Sequence, residues 1–492
     1  TLFRSFSVVV LFLCAGILTP KEMLEGFSNK GMITVALLFL VSEGIRQSGT
    51  LGQVIKKLLP QGKTTVFKAQ LRILPSVAFI SAFLNNTPVV VIFAPIIKHW
   101  AKSVNLPATK FLIPLSYVTI LGGICTLIGT STNLVVHGMI LEAGFEGFSM
   151  FELGKVGIFI AIAGIIYIFL FSKRLLPDAR PDTAVPDEEV EEGEKLHRVE
   201  AVLGARFPGI NKKLKDFNFQ RHYGAEVKEI KTRNGQRFVT NLDDVVLHEG
   251  DTLVVMADDT FIPTWGESSV FVLLTNGNEP DTSGKKKRWF ALLLLVLMIV
   301  GATVGELPVT KEMFPDIKLD MFFFVSITTI IMAWTNLFPA RKYTKYISWD
   351  ILITIACAFA ISKAMVNSGV ADSVAKFIIG LSDDYGPHVL LAMVFIITNL
   401  FTELITNNAA AALAFPLALS ISAQLGVSPT PFFVVICMAA SASFSTPIGY
   451  QTNLIVQGIG NYKFTDFVRI GLPLNIITFL ISIILIPLIW NF

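Results

Sequence analysis

Long apolar runs interrupted by short polar tips dominate the chain. Thr34–Val41, Val156–Phe171, Phe290–Val300, Met321–Trp334, Ile351–Ile361 and Ile476–Trp490 read as helices, several of them long enough to cross a hydrocarbon core. Two stretches break the pattern. Leu71–Leu84 runs into Asn85-Asn86-Thr87-Pro88, and the apolar run after it, Val89–Ile97, ends at Lys98 and His99 after only about half a span. Ala392–Ile405, then Thr406-Asn407-Asn408, then Ala409–Ala418 repeat the arrangement. Such pieces read as re-entrant helical hairpins at about 67–102 and 390–425, tolerated at membrane depth only where broken backbone is buried in protein or faces water.

The pattern changes between Pro177 and Lys287. The acidic run Asp187–Glu194 reads as a solvated linker, and an Asn234-Gly235 turn and a strand at Thr252–Met256 predict a small α/β insert. The expected organisation is a first membrane repeat at 1–176, an insert with its linkers at 177–288 and a second membrane repeat at 289–492. Lys173-Arg174 before the insert and Lys285–Arg288 after it place it in the cytoplasm.

The two membrane halves look like copies. Asn85-Asn86-Thr87 corresponds to Thr406-Asn407-Asn408 at an offset of 321 (406 − 85), and Gly129-Thr-Ser-Thr132-Asn133 to Gly449-Tyr-Gln-Thr452-Asn453 at 320 (453 − 133). Ser48-Gly49 and Ser368-Gly369 give a third anchor. The loop Gly49–Lys68 carries lysines and no acid, whereas Gly369–His388 carries Asp372, Asp383 and Asp384 against Lys376. Matching loops of opposite charge bias imply inverted repeats, the architecture of many secondary transporters, with the site where the repeats meet. The predicted fold class is therefore an all-α polytopic membrane protein of two inverted repeats, each with a re-entrant hairpin and a broken helix, plus the α/β insert.

Composition agrees: 53% of the 492 residues are hydrophobic and 16% charged, with mean hydropathy +0.63. A net charge of +3 implies no nucleic-acid partner, and no nucleophile, base or metal-ligand constellation indicates an enzyme. Cys14, Cys125, Cys357 and Cys437 read as small buried apolar residues. His137 reads as packing, and Glu43 with Arg46 as a local ion pair.

The chemistry gathers at the tips. Asn and Thr offer donors and acceptors without a fixed charge, freed carbonyls can hold a sodium ion, and a helix that restarts there points its positive end at an anion. Thr132-Asn133 and Thr452-Asn453 are expected to cap helices that restart after Gly/Pro-rich breaks. Glu403, one turn before the second tip, reads either as a proton or cation group or as an anchor bonded to a neighbouring helix, the anchor being preferred.

These motifs resemble the divalent-anion/sodium symporter family of the ion-transporter superfamily, whose hairpins carry a Ser-Asn-Thr tip. The resemblance implies a homodimer in the lipid of a bacterial-type plasma membrane, working by an elevator motion and coupled to sodium ions. It implies one sodium among Ser81, Asn85, Asn86 and Gly129 and another among Thr402, Ile405, Asn407 and Gly449. The small anionic substrate would lie by Asn86, Thr87, Asn407, Asn408 and Thr452, with Thr132, Asn133 and Asn453 completing the set. Asn85 and Asn408 depart from the motif and remove hydroxyls. The insert resembles the C-terminal regulatory domain of Trk-type potassium-uptake systems, which accompanies the sulfate-permease-like branch and implies a cytosolic small-molecule regulator. Sulfate or a similar oxyanion is the favoured substrate; a dicarboxylate/sodium symporter, a sodium/proton antiporter or another oxyanion transporter are the alternatives. Three spans precede the second hairpin against two before the first, which predicts a natural chain longer at its N-terminus.

Overall fold

The computed structural model describes residues 2–178, 197–204, 206–232, 236–258, 261, 265, 270–275, 285–314, 316–380 and 386–492. The acidic run 187–194, the Asn234-Gly235 turn, and Asp383 and Asp384 lie outside them.

Taking the longer helices in chain order, the first half contains α1 (Leu2–Cys14), α2 (Lys30–Gln47), α3 (Thr50–Leu58), α4 (Val66–Ser81), α5 (Asn86–Ser103), α6 (Leu112–Gly123), α7 (Ser131–Glu142) and α8 (Gly154–Leu175). The second contains α9 (Lys285–Gly305), α10 (Met321–Trp334), α11 (Trp349–Asn367), α12 (Val370–Gly380), α13 (Gly386–Leu404), α14 (Asn407–Leu425), α15 (Thr430–Ser441), α16 (Gln451–Gly460) and α17 (Phe464–Ile489). α2 and α11 both stop at a serine followed by a glycine with positive φ, Gly49 at 70° and Gly369 at 71°, the conformation that ends helices most cheaply at glycine.

Seven helices among the described residues are long and apolar enough to cross a membrane. Their outer faces carry exposed apolar stripes: Leu472, Ile476, Leu480, Ile484 and Leu488 follow one another four residues apart on α17. A face so apolar and so open finds its favourable solvent in lipid, so this is an integral membrane protein. α6 and α15, at 12 residues each, are instead buried almost throughout. They form the centre on which the tips rest.

Between the halves, five strands form an antiparallel sheet in the order β3-β2-β4-β1-β5: β1 (His197–Leu203), β2 (Glu226–Lys231), β3 (Arg237–Phe238), β4 (Thr252–Ala257) and β5 (Phe271–Thr275). Phe207, Phe217, Phe219, Tyr223 and Phe271 build its core. The insert touches the helices at defined points. Lys98, near the end of α5, holds both carboxylate oxygens of Glu200 at 2.9 Å, Arg206 reaches Asp350 on α11 at 2.6 Å, and Gly458 on α16 lies against Thr252. Burial pushes the Glu200 carboxyl up, but the Lys98 and Lys231 charges prevail and hold it down to about 2.

Candidate functional site

Each tip forms where one helix stops and the next begins within a few residues. α4 ends at Ser81 and α5 begins at Asn86; the Ser81 hydroxyl donates to Asn86 Oδ1 at 2.8 Å. α6 unwinds after Gly123, and the chain restarts at Ser131 as α7. The Thr126 hydroxyl donates to Ala82 O, Gly129 N to Thr126 Oγ1 at 3.2 Å, and Asn133 Nδ2 to Thr126 O at 2.9 Å and Gly123 O at 3.5 Å. The second half makes the same five bonds. Thr402 Oγ1 lies 2.9 Å from Asn407 Oδ1, Thr446 Oγ1 donates to Glu403 O at 3.1 Å and Gly449 N to Thr446 Oγ1 at 3.3 Å. Asn453 Nδ2 donates to Ser443 O at 2.9 Å and Thr446 O at 3.1 Å.

These loops close so tightly that glycine is obligatory. A Cβ on Gly129 would lie 2.5 Å from Gly123 O, and one on Gly449 2.6 Å from Thr402 O.

The two tips then meet across the molecule. Asn86 Nδ2 donates to Tyr450 Oη at 2.6 Å, and the same hydroxyl lies 3.0 Å from Thr130 Oγ1, with Asn407 a further polar neighbour. Thr87 reaches Gln451 at 3.4 Å. Asn408 Oδ1 accepts from Thr132 at 3.1 Å and Ser131 at 3.3 Å. Each tip thus touches the start of the other half's restarted helix. The result is a convergence of four helix N-termini, those of α5, α7, α14 and α16, and none of their N-cap residues, Asn85, Thr130, Thr406 and Tyr450, makes a side-chain cap. Uncapped first-turn amides and about half a positive charge per helix start point into one region, the physical requirement for an anion site without arginine or lysine.

Of the residues singled out in the sequence, Asn86, Thr87, Thr132, Asn407 and Asn408 come together here. Thr452 and Asn453 sit slightly apart, both touching Ser116, at 2.8 and 2.6 Å. Asn85 lines a small gap together with Val35, Leu38, Ser42, Ser131 and Leu134, and Ile405 is exposed beside the turn. The expected caps are corrected: Thr132-Asn133 and Thr452-Asn453 lie inside the first turns of α7 and α16, and both asparagines donate backward to carbonyls of the unwound stretches because that backbone has no helical partner of its own. Glu403 accepts from Ser445 N at 2.9 Å and from Asn475 Nδ2 on α17 at 2.8 Å, the contact of an anchor. His137 accepts from Phe148 N at 3.0 Å, so it ties a loop as well as packing, and Arg46 grips Glu43 at 2.7 Å. Cys357 and Cys437 are buried, whereas Cys125 is half-buried and Cys14 exposed.

Sequence reading missed Ser116, Gln451 and above all Tyr450, whose only signal was its register with Thr130. Among the described residues no group of three or more His, Cys, Asp or Glu could hold a metal ion; apart from the Glu403 carboxylate, the polar oxygens at the tips belong to amides, hydroxyls and backbone.

The sequence profile of the family described as Citrate transporter (CitMHS) matches residues 3–426 and, separately, 318–491. An uncharacterized transporter of Synechocystis, sll0640, is 30% identical over 98% of this chain and 93% of its own length. A putative sulfur deprivation response regulator of Chlamydomonas reinhardtii is 28% identical over 97% and 96%, and a probable sodium/sulfate cotransporter 3 of the same alga is 23% identical over 96% and 84%. The match spans both halves and the tips, and the chain belongs to the citrate transporter family, a family of membrane transporters and not of enzymes.

Proposed function

We propose that this protein is a sodium-coupled symporter of a small divalent oxyanion of the sulfate class, binding the anion between the two tips. The observation that carries the reading is the convergence of four uncapped helix N-termini on Asn86, Thr87, Asn408 and Thr132. Dipoles and amides of this kind replace the hydration of an anion without trapping it through a fixed countercharge. The names of the algal relatives support sulfate over citrate. Asn407 lies beside the cluster and lends its amide to the anion.

Sodium ions would sit behind each tip, among Ser81, Asn86 and Gly129 in one half and Thr402, Asn407 and Gly449 in the other. The residues fit a hard cation that prefers oxygen ligands: the buried Asn133 Oδ1 has no hydrogen-bond partner, although its amide nitrogen is fully used. Sodium neutralises the charge that the anion brings and so couples the two bindings.

The loop-charge bias and the shared register support inverted repeats, and with them an elevator motion of the tip-bearing helices in a plasma-membrane homodimer. The basic flanks support a cytoplasmic insert. Its contacts with α5, α11 and α16 connect it both to tip-bearing and to outer helices, as a regulator responding to a cytosolic small molecule requires.

Uptake of labelled sulfate into proteoliposomes tests the reading. The expected result is uptake that needs an inward sodium gradient, collapses when choline replaces sodium, and is competed by other small oxyanions more than by succinate or citrate. Citrate uptake without sulfate uptake overturns it.

A further inference from the structure

Tyr450 stands where the two halves meet, yet its counterpart in the repeat is the small Thr130 (450 − 320). It is 9% exposed and precedes α16 as its N-cap residue, with extended backbone, so its side chain leaves the helix axis and crosses to the other tip. There its oxygen accepts the Asn86 amide at 2.6 Å, joining residues 364 apart in sequence. With that lone pair engaged by Asn86 and the Asn407 side chain a second polar partner of the oxygen, the phenol's own hydrogen is left for an acceptor. Its neighbour Thr130 Oγ1, at 3.0 Å, is a hydroxyl that can turn to serve as donor elsewhere. An anionic oxygen is the stronger acceptor, and a bond to it is about twice as strong as a neutral one.

Resting on the reading that the tips hold an anion, we propose that Tyr450 sets which anions the site accepts, its hydroxyl donating to the bound oxyanion and its ring closing off the length a dicarboxylate needs. The asymmetry of the repeat is the ground for the second part. Had the second half kept threonine, the space between the tips would be longer by an aromatic ring. A compact tetrahedral oxyanion needs one cluster of donors, whereas two carboxylates need two clusters separated by a carbon chain. A rigid side chain placed against the unwanted substrate is an effective way to discriminate.

Three variants test this in proteoliposomes. Tyr450→Phe keeps the ring and loses the donor; sulfate KM is expected to rise roughly tenfold with kcat within about twofold, as for loss of one hydrogen bond to a charged group. Tyr450→Thr, the residue of the other half, is expected to admit succinate that the parent excludes. Tyr450→Cys is expected to react with a methanethiosulfonate reagent roughly fivefold or more slowly in saturating sulfate. Size-exclusion profiles and thermal unfolding in detergent confirm folding of each. An unchanged sulfate KM in Tyr450→Phe, or cysteine labelling indifferent to sulfate, overturns the donor role. A folded Tyr450→Thr protein that still excludes succinate, or a parent that carries succinate as readily as sulfate, overturns the closure. A parent that carries no sulfate at all overturns the functional reading instead.

Discussion

The first and second tips share their backbone construction and differ in the side chains that construction presents. The same five hydrogen bonds recur with Ser81 replaced by Thr402, while Gly129 and Gly449, Thr126 and Thr446, Asn133 and Asn453 occupy matching places. The differences lie just outside that frame. Thr130 becomes Tyr450, Ala82 becomes Glu403, and Asn133 Oδ1 lacks the hydroxyl that Ser116 gives Asn453 at 2.6 Å. Bonds that hold an unwound helix together leave little freedom, because four of the five in each half satisfy a buried backbone group that would otherwise cost about 1–3 kcal/mol. Positions facing the meeting point carry no such duty, and there the halves specialise.

The largest effects should come from the shared frame. Gly129→Ala and Gly449→Ala each place a Cβ within 2.6 Å of a backbone oxygen, an overpacking that costs about 1–3 kcal/mol or more. Both variants are expected to lose transport by roughly a hundredfold and to unfold at lower temperature. A tolerant Gly449→Ala beside an inactive Gly129→Ala would break the equivalence of the two loops.

Asn86→Ala and Asn407→Ala come next. Each removes an amide from a tip while leaving the apolar packing intact, and each should weaken substrate or sodium binding by about 1–3 kcal/mol. Both amides reach Tyr450, so both variants should raise sulfate KM, and sodium titrations separate that effect from a loss of sodium binding. Normal KM for both variants would put the site elsewhere.

Glu403 sharpens the contrast further, since only the second half has an acid there. Glu403→Gln retains the oxygen that accepts Ser445 N and Asn475 Nδ2, so transport should stay within about twofold and stability within about 1 kcal/mol. Glu403→Ala should lose more, because Ser445 N loses its acceptor and Asn475 Nδ2 keeps only Ser445 Oγ, at 2.9 Å. An inactive but stably folded Glu403→Gln would make the carboxyl a participant in ion coupling.

The smallest effect concerns pH and the insert. The Glu200 carboxyl is held down to about 2, against an ordinary 4.5, by Lys98 and Lys231 in spite of its burial. A depressed carboxylate stabilises above its ordinary pKa and loses that contribution as pH falls through the folded value. Docking of the insert on α5 should therefore be fully supported above about pH 4.5, weaken progressively as pH falls from there, and have lost this contribution by about pH 2, read by hydrogen exchange in β1. Loosening already at pH 5 would show that other contacts hold the insert.

The membrane character, the two polar tips and the register near 320 positions were legible because they depend on local facts. A run of apolar residues has a length, a bilayer has a thickness, and a few polar residues between short apolar runs stand out whatever the fold around them. The paired breaks followed from the same logic, since Gly122, Gly123, Gly129 and Pro447 are residues that weaken or end helices and are concentrated there. Which side chains face one another was another matter. Asn85 and Asn86 are adjacent and equivalent in composition, yet one lines a small gap beside Ser42 and Leu134 and the other bonds Tyr450. That choice is made by how α4 and α5 pack against α2 and α16. Glu403 finds Asn475, Asn453 finds Ser116, and Asn86 finds Tyr450 across separations of 72, 337 and 364 residues. Hydrogen bonds form only within about 3 Å and in the right direction, so such pairs exist only once remote helices have been brought together, and no spacing along the chain announces them.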